Sequence, residues 1–79
     1  MRKPSSKLIT ILSQNIKKIR QDMEISQEEF AHRCGMHRTY IGAIERGERN
    51  ITLSSLEVIA TTLNVDISTL LSKDINIYG

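Results

Sequence analysis

Segment 38–46 carries basic, hydroxyl and small residues at a spacing that suits hydrogen-bond chemistry on one face of a helix. At 100° per residue, such a helix places Ile41 and Ile44 on one side. The opposite side carries Arg38, Thr39, Gly42, Ala43 and Arg46. The planar guanidinium of Arg38 can donate to O6 and N7 of one guanine, and Thr39 can bond a base or touch a thymine methyl. The segment therefore predicts a helix that enters the major groove of duplex DNA with this side outward.

Two residues on this side have almost no side chain. Ala43 offers an apolar contact to a base. Glycine in a helix interior costs about 0.5 to 1 kcal/mol relative to alanine. Gly42 therefore indicates close approach of the helix backbone to the DNA groove, with simple tolerance of glycine as the alternative.

Phosphate contacts are expected around the segment, because most protein–DNA hydrogen bonds go to the DNA backbone. Gln27 lies at the first turn of the preceding helix, where backbone N–H groups form a positive dipole end. Arg49 and Asn50 follow in the next loop, and Arg46 precedes them. For these three residues, the alternative is a solvated surface turn.

Metal and catalytic chemistry find little support in the sequence. His32, Cys34 and His37 match no common zinc spacing and lack a fourth ligand. A nucleophile pair would need an orienting third group and a pocket, which a small bundle rarely offers. We therefore expect no metal, no cofactor and no catalysis. Cys34 is the only cysteine, so no intrachain disulfide can form, and it is expected to pack inward as a small hydrophobe.

Two predicted helices precede segment 38–46 and position it, and the segment itself forms the third helix. Apolar residues recur every three or four positions in segment 6–23, which predicts a first amphipathic helix. Ser26 and Glu29 form a capping-box pattern that starts a second helix, and Gly35 ends it. The third helix covers 38–46 and stops at Gly47. A capped helix, a tight turn and a short helix together form a helix-turn-helix unit.

Two more helices complete an all-α, compact five-helix bundle, predicted as one domain over 1–79 with its core at about 6–71. Thr52 caps a fourth helix that ends at Asn64, and a fifth covers 66–71. The inward stripe of the fourth helix is predicted to be Leu53, Leu56, Ile59, Ala60 and Leu63. The tail 72–79 is left irregular, because Ile75, Ile77 and Tyr78 alternate like a strand without a partner strand.

Composition fits a small soluble globular domain. The 79 residues are 39% hydrophobic and 25% charged, with a net charge of +2. No apolar run is long enough to span a membrane, and no targeting segment is recognised, so a cytoplasmic protein is expected. Basic residues precede every acidic one along the first twenty positions, which indicates a basic face or simply a solvated one.

Surplus apolar residues near the C-terminus predict a homodimer, since surplus apolar surface on a small protein often marks an interface. The interface is assigned to Val65, Ile67, Leu70, Leu71 and Ile75. The alternative is that all of them are internal.

Two stretches carry a resemblance to a known family. Residues 26–63, SQEEFAHRCGMHRTYIGAIERGERNITLSSLEVIATTL, resemble the Cro and phage-repressor (XRE) class of helix-turn-helix domains, whose fold is lambda-repressor-like. Within them, HRTYIGAIERGERNITL is especially similar to controller proteins of restriction-modification systems. The resemblance extends over about 12–71.

The resemblance implies roles for individual residues. Arg20 and Glu45 match a buried structural ion pair. The positions that would contact DNA are Gln27, Arg38, Thr39, Tyr40, Ala43, Arg46, Arg49 and Asn50. The chain departs from the pattern in two places. Gly42 stands where controller proteins commonly have serine, and His37 replaces a small hydroxyl cap, where it caps poorly or donates to phosphate when protonated.

These features predict a dimeric transcriptional regulator that binds an inverted-repeat operator. The resemblance to controller proteins implies that this operator lies upstream of its own gene and the restriction gene. No sensory domain is visible, so no small-molecule effector is expected and occupancy should follow protein concentration. A phage-type repressor or antitoxin shares this DNA-binding chemistry. A protein-interaction module that has lost DNA contact is an alternative of another class.

Overall fold

The computed structural model describes residues 5–48 and 50–73. Within these residues the chain forms helices and no strands. The helices are α1 (Ser6–Asp22), α2 (Gln27–Cys34), α3 (Arg38–Glu45), α4 (Leu53–Leu63) and α5 (Ile67–Leu70). The predicted all-α architecture is confirmed, with each helix end within two residues of its expected position. No helix among the described residues is long and apolar enough to cross a membrane.

Helix α1 begins at a serine cap and buries the middle of its apolar stripe. The Ser5 hydroxyl accepts a hydrogen bond from the Leu8 amide at 3.1 Å. Leu12, Ile16 and Ile19 are buried in the core. The apolar residues at the two ends of the stripe are more exposed, Leu8 at 39% and Met23 at 37%.

Local caps start and stop the helix-turn-helix unit. Ser26 Oγ accepts from the Glu29 amide at 3.0 Å, and Gly35 ends α2 with φ of 69°. The second half of the predicted capping box does not form, because the Glu29 carboxylate instead accepts from Arg33 Nε, one turn along the helix, at 2.9 Å. Gly47 follows α3 with φ of 72°, as expected for a helix terminator.

Helix α4 also has the predicted caps. Thr52 Oγ1 accepts from the Ser55 amide at 3.1 Å, and Asn64 ends the helix in the left-handed conformation at φ 59°. Leu53, however, was wrongly placed in the inward stripe: its side chain is 80% exposed. It lies at the first position of the helix, about 70° from the centre of the buried stripe, and so flanks the core at the helix end.

One core unites the helices. Its fully buried side chains come from every helix, and the largest are Phe30, Ile16, Ile41, Ile59 and Leu70. Because it brings Ile41 and Ile44 inward, this core fixes which side of α3 faces solvent.

The predicted dimer interface needs correction at Leu70, which is fully buried within its own chain. Asn15 of α1 holds the adjacent backbone, because its Nδ2 donates to the carbonyls of Leu70 and Ser72, both at 2.8 Å. Val65 and Ile67 are half-buried against the same core, whereas Leu71 is 38% exposed. Ile75 and the rest of the predicted irregular tail beyond Lys73 lie outside the described residues.

Candidate nucleic-acid interface

Helix α3 turns its first residues to solvent. Arg38 and Thr39 are both exposed, while Ile41 and Ile44, farther along, are buried. His37 occupies the N-cap position, is exposed and makes no side-chain cap hydrogen bond. The first turn of α3 therefore offers an arginine fork, a hydroxyl and backbone N–H groups on the same exposed end.

The middle of the predicted outward face is covered by protein. Gly42 and Ala43 are buried, contrary to the expectation that they lie open beside Arg38. Arg46 Nη1 is 3.1 Å, and Gln27 Oε1 3.6 Å, from the point where a Cβ on residue 42 would stand. The close approach that Gly42 permits in this structure is therefore that of the Arg46 guanidinium.

A buried ion pair anchors α3 to α1. Arg20 Nε and Nη2 donate to the two carboxylate oxygens of Glu45 at 2.6 and 2.9 Å. Arg20 Nη1 donates to the carbonyl of Ile25 at 2.8 Å, in the turn between α1 and α2. The Glu45 side chain is only 2% exposed, so the pair is shielded from solvent. This geometry matches the structural role that the family resemblance implied for both residues.

Gln27 joins the same network, which sequence reasoning did not foresee. Its Nε2 donates to Glu45 Oε1 at 2.9 Å, and the residue is half-buried. The side chain predicted to bind phosphate is thus already engaged in tying the start of α2 to the end of α3. Its position one residue after the Ser26 cap was the available signal, because a first-turn side chain on α2 can reach α3 in a helix-turn-helix.

Tyr40 is half-buried and packs against the core. Its predicted contact with DNA therefore concerns only the exposed part of the residue.

The loop after α3 contains an exposed ion pair. Arg46 Nε donates to Glu48 Oε2 at 2.8 Å, and both side chains are more than half exposed. This hydrogen bond lowers the pKa of the Glu48 carboxyl and raises that of the Arg46 guanidinium. Asn50 is exposed nearby in the sequence, and Arg49 lies outside the described residues. The sequence analysis overlooked Glu48, although an acidic residue two positions after an arginine signalled the pair.

The cluster considered for metal binding does not assemble. Among residues 5–48 and 50–73, no group of three or more His, Cys, Asp and Glu side chains is placed to hold a metal ion. Cys34 is half-buried and packs against the core. Burial raises the pKa of its thiol, and a hydrogen bond with Thr62 opposes that shift. Cys34 therefore behaves as a packing residue, as predicted.

Comparison with known proteins places these features in a family. The helix-turn-helix family model matches residues 16–70. Control protein C.SmaI from Serratia marcescens is 46% identical over 63 residues, which cover 80% of this chain and 75% of that protein.

Two solved structures of restriction-modification controller proteins share the fold. C.AhdI from Aeromonas hydrophila has a TM-score of 0.75 and 32% identity, covering 78% of this chain and 94% of its own. The C.Esp1396I tetramer, solved in complex with its natural 35 base-pair operator, has a TM-score of 0.73 and 41% identity, covering 80% and 83%. The chain thus belongs to the helix-turn-helix family, within the group of restriction-modification controller proteins.

Proposed function

We propose that this chain is a cytoplasmic transcriptional regulator of a restriction-modification system, which binds as a homodimer to an inverted-repeat operator upstream of its own gene and the restriction gene. The observation that carries the proposal is the exposed first turn of α3, with Arg38 and Thr39 free of the protein core. The buried pair of Arg20 and Glu45 anchors the other end of α3 to α1. The structure of the relative C.Esp1396I on its operator supports the DNA partner.

Base readout is assigned to the start of α3. Arg38 donates bidentately to a guanine, and Thr39 contacts the neighbouring base pair. A protonated His37 donates to a phosphate beside them, and Tyr40 contacts DNA through its exposed part. Because α3 is short and its far end is buried, its first turn reads most of the half-site.

Positioning on the DNA backbone is assigned to the flanking residues. Gln27 keeps its side chain on Glu45 and presents its backbone N–H, at the start of α2, to a phosphate. Asn50 and Arg49 contact the backbone from the following loop. Arg46 binds a phosphate only after leaving Glu48, and that movement uncovers Gly42 for contact with DNA.

The dimer contact is assigned to apolar residues left exposed by the fold. Leu53, Leu71 and Leu8 are 80%, 38% and 39% exposed. They border an apolar groove of about 190 Å³ between α1 and the start of α4, which Ile9 and Ile51 also line. A second copy of the chain is the proposed occupant, because the operator-bound relative C.Esp1396I is itself an oligomer of its chain.

A symmetric dimer places two copies of α3 about 34 Å apart, one turn of DNA. Dimerisation and DNA binding are then coupled, so operator occupancy rises steeply with protein concentration. This coupling suits a regulator that activates its genes when scarce and represses them when abundant.

Selection of bound duplexes from a random pool tests the proposal, followed by competition binding with Arg38→Ala. We expect the pool to yield an inverted repeat. Arg38→Ala should lower specific affinity by about 1 to 3 kcal/mol and relax the base preference at one position of each half-site. Arg33→Ala is the matched control, because Arg33 is an exposed arginine on α2 and should leave base discrimination unchanged.

Two results would argue against DNA recognition by α3. One is a selection that returns no common sequence together with binding that does not weaken as salt rises, which would favour a protein-interaction module. The other is full operator discrimination by the Arg38→Ala protein.

A further inference from the structure

The ion pair beyond α3 places a carboxylate where a DNA-binding surface would be expected to avoid one. Glu48 is exposed and lies between two arginines in the sequence, Arg46 and Arg49. Its Oε2 accepts from Arg46 Nε at 2.8 Å, in a geometry like that of a phosphate oxygen on a guanidinium. A carboxylate repels the phosphates of DNA, so Glu48 by itself would weaken DNA binding. The contact between Glu48 and Arg46 therefore requires a functional explanation.

The other side of the Arg46 guanidinium rests on α3. Its Nη1 lies 3.1 Å from the point where a Cβ on Gly42 would stand, a place that any larger residue would occupy. The lack of a side chain at residue 42 and the carboxylate of Glu48 thus act together. They keep the Arg46 guanidinium over Gly42, with its Nε bonded to Glu48.

We propose that Glu48 is a specificity-determining residue, which keeps Arg46 from phosphates until α3 is docked in register on the operator. This inference rests on the proposed function. In a loosely docked, non-specific complex, Arg46 stays on Glu48 and neutralises no phosphate. In the specific complex, the fixed docking geometry places a phosphate where it displaces the Glu48 carboxylate from Arg46. Arg46 therefore adds affinity only in the specific complex.

The expected size follows from counterion release. Each phosphate neutralised on duplex DNA steepens the slope of log affinity against log salt by about 0.9. A fourfold rise in salt, from about 50 to about 200 mM, then lowers affinity about 3.5-fold more for each added contact. Removing the carboxylate should therefore strengthen non-specific binding and steepen its salt dependence by about one contact per subunit.

The test compares wild-type protein with Glu48→Gln, using the selected operator and a scrambled duplex of equal length over that salt range. We expect Glu48→Gln to bind the scrambled duplex about three- to tenfold more tightly at about 50 mM salt, with a slope steeper by about 0.9 per subunit. Operator affinity should rise by less, because an exposed ion pair contributes only a factor of about 1.5 to 5. The ratio of specific to non-specific affinity therefore falls.

Glu57→Gln is the matched control. Glu57 is an exposed glutamate on α4, so its replacement changes the net charge equally without touching Arg46. A second comparison repeats Glu48→Gln in an Arg46→Ala background, where the gain in non-specific binding should disappear. Melting curves of every variant establish that each is folded.

Two outcomes would overturn the inference. In one, Glu48→Gln behaves like Glu57→Gln, with an unchanged affinity ratio and salt slope. In the other, the gain persists in the Arg46→Ala background, which would make Glu48 a simple repeller of phosphate. Either result leaves operator binding by wild-type protein intact, whereas loss of the proposed function would appear as no duplex binding by wild-type protein at all.

Discussion

Replacing Glu45 with glutamine should destabilise the domain far more than a single hydrogen bond would suggest. Three donors converge on this carboxylate: Arg20 Nε at 2.6 Å, Arg20 Nη2 at 2.9 Å and Gln27 Nε2 at 2.9 Å. A glutamine amide has one acceptor oxygen and turns an NH₂ group toward the remaining donor. The Arg20 guanidinium, 10% exposed, would then be a buried charge without a counter-ion.

The magnitude follows from this burial. Removing one partner of a buried ion pair costs about 3 to 5 kcal/mol, because the other charge stays desolvated. At about 0.05 to 0.15 kcal/mol per residue, a chain of 79 residues has a total stability of about 4 to 12 kcal/mol. Glu45→Gln therefore removes a large share of it. Since 1 kcal/mol shifts Tm by about 4 to 8 °C in a domain of this size, Tm should fall by at least about 12 °C.

Urea unfolding followed by circular dichroism measures the effect. Glu29→Gln is the matched control, because Glu29 pairs with Arg33 in a salt bridge whose side chains are nearly half exposed. Such an exposed pair is worth about 0 to 1 kcal/mol. Replacing both Arg20 and Glu45 with methionine should cost less than Glu45→Gln alone, since no buried charge remains.

One result would refute this reasoning directly. Suppose that Glu45→Gln lowers the free energy of unfolding by less than about 1 kcal/mol, as is expected for the exposed control. The guanidinium of Arg20 would then be solvated once the Glu45 carboxylate is removed. The pair would then not be what fixes α3 against α1.

Three further changes probe other parts of the molecule. Gly42→Ala should raise the free energy of unfolding by about 0.5 to 1 kcal/mol in urea titrations, because helix propensity improves and only the flexible end of Arg46 must shift. A lower free energy of unfolding would mean that the backbone moves instead. Leu71→Asp should shift sedimentation toward monomer while Tm at low protein concentration stays near that of wild type. Leu70→Ala should instead lower the free energy of unfolding by about 2 to 5 kcal/mol. Equal stability losses in the two variants would remove the distinction between a core leucine and an interface leucine. Thr52→Ala should cost about 1 kcal/mol through the lost cap of α4, and no change in urea midpoint would show that water replaces the hydroxyl.

Helix boundaries were predictable from the sequence because their signals are local. The Ser26 and Thr52 hydroxyls bond amides three residues away, and Gly35 and Asn64 adopt the left-handed conformation that ends a helix. Such contacts depend on a few neighbouring residues and little on the rest of the fold.

Side-chain surroundings were predicted less well where they depend on distant elements. Leu70 ends a helix of four residues and Leu71 follows it, and so short a helix has too little periodicity to show which of the two faces the core. The position of α1 decides which of the two leucines is buried. Gly42 was expected to lie open for close approach to DNA, whereas in this structure it is buried under the guanidinium of Arg46, which also bonds Glu48.

The two hydrogen bonds that Asn15 donates to the carbonyls of Leu70 and Ser72 fasten α5 to α1. A helix of four residues would fray on its own, because it has too few internal bonds to offset nucleation. Because α1 holds both carbonyls and Leu70 is buried, opening of α5 requires α1 to leave the core, so the Leu71 amide proton, bonded to the carbonyl of Ile67, should exchange at close to the rate of global unfolding. Leu71, which follows α5, is thereby held in place within a single chain, so the dimer contact proposed for it would need no ordering on association.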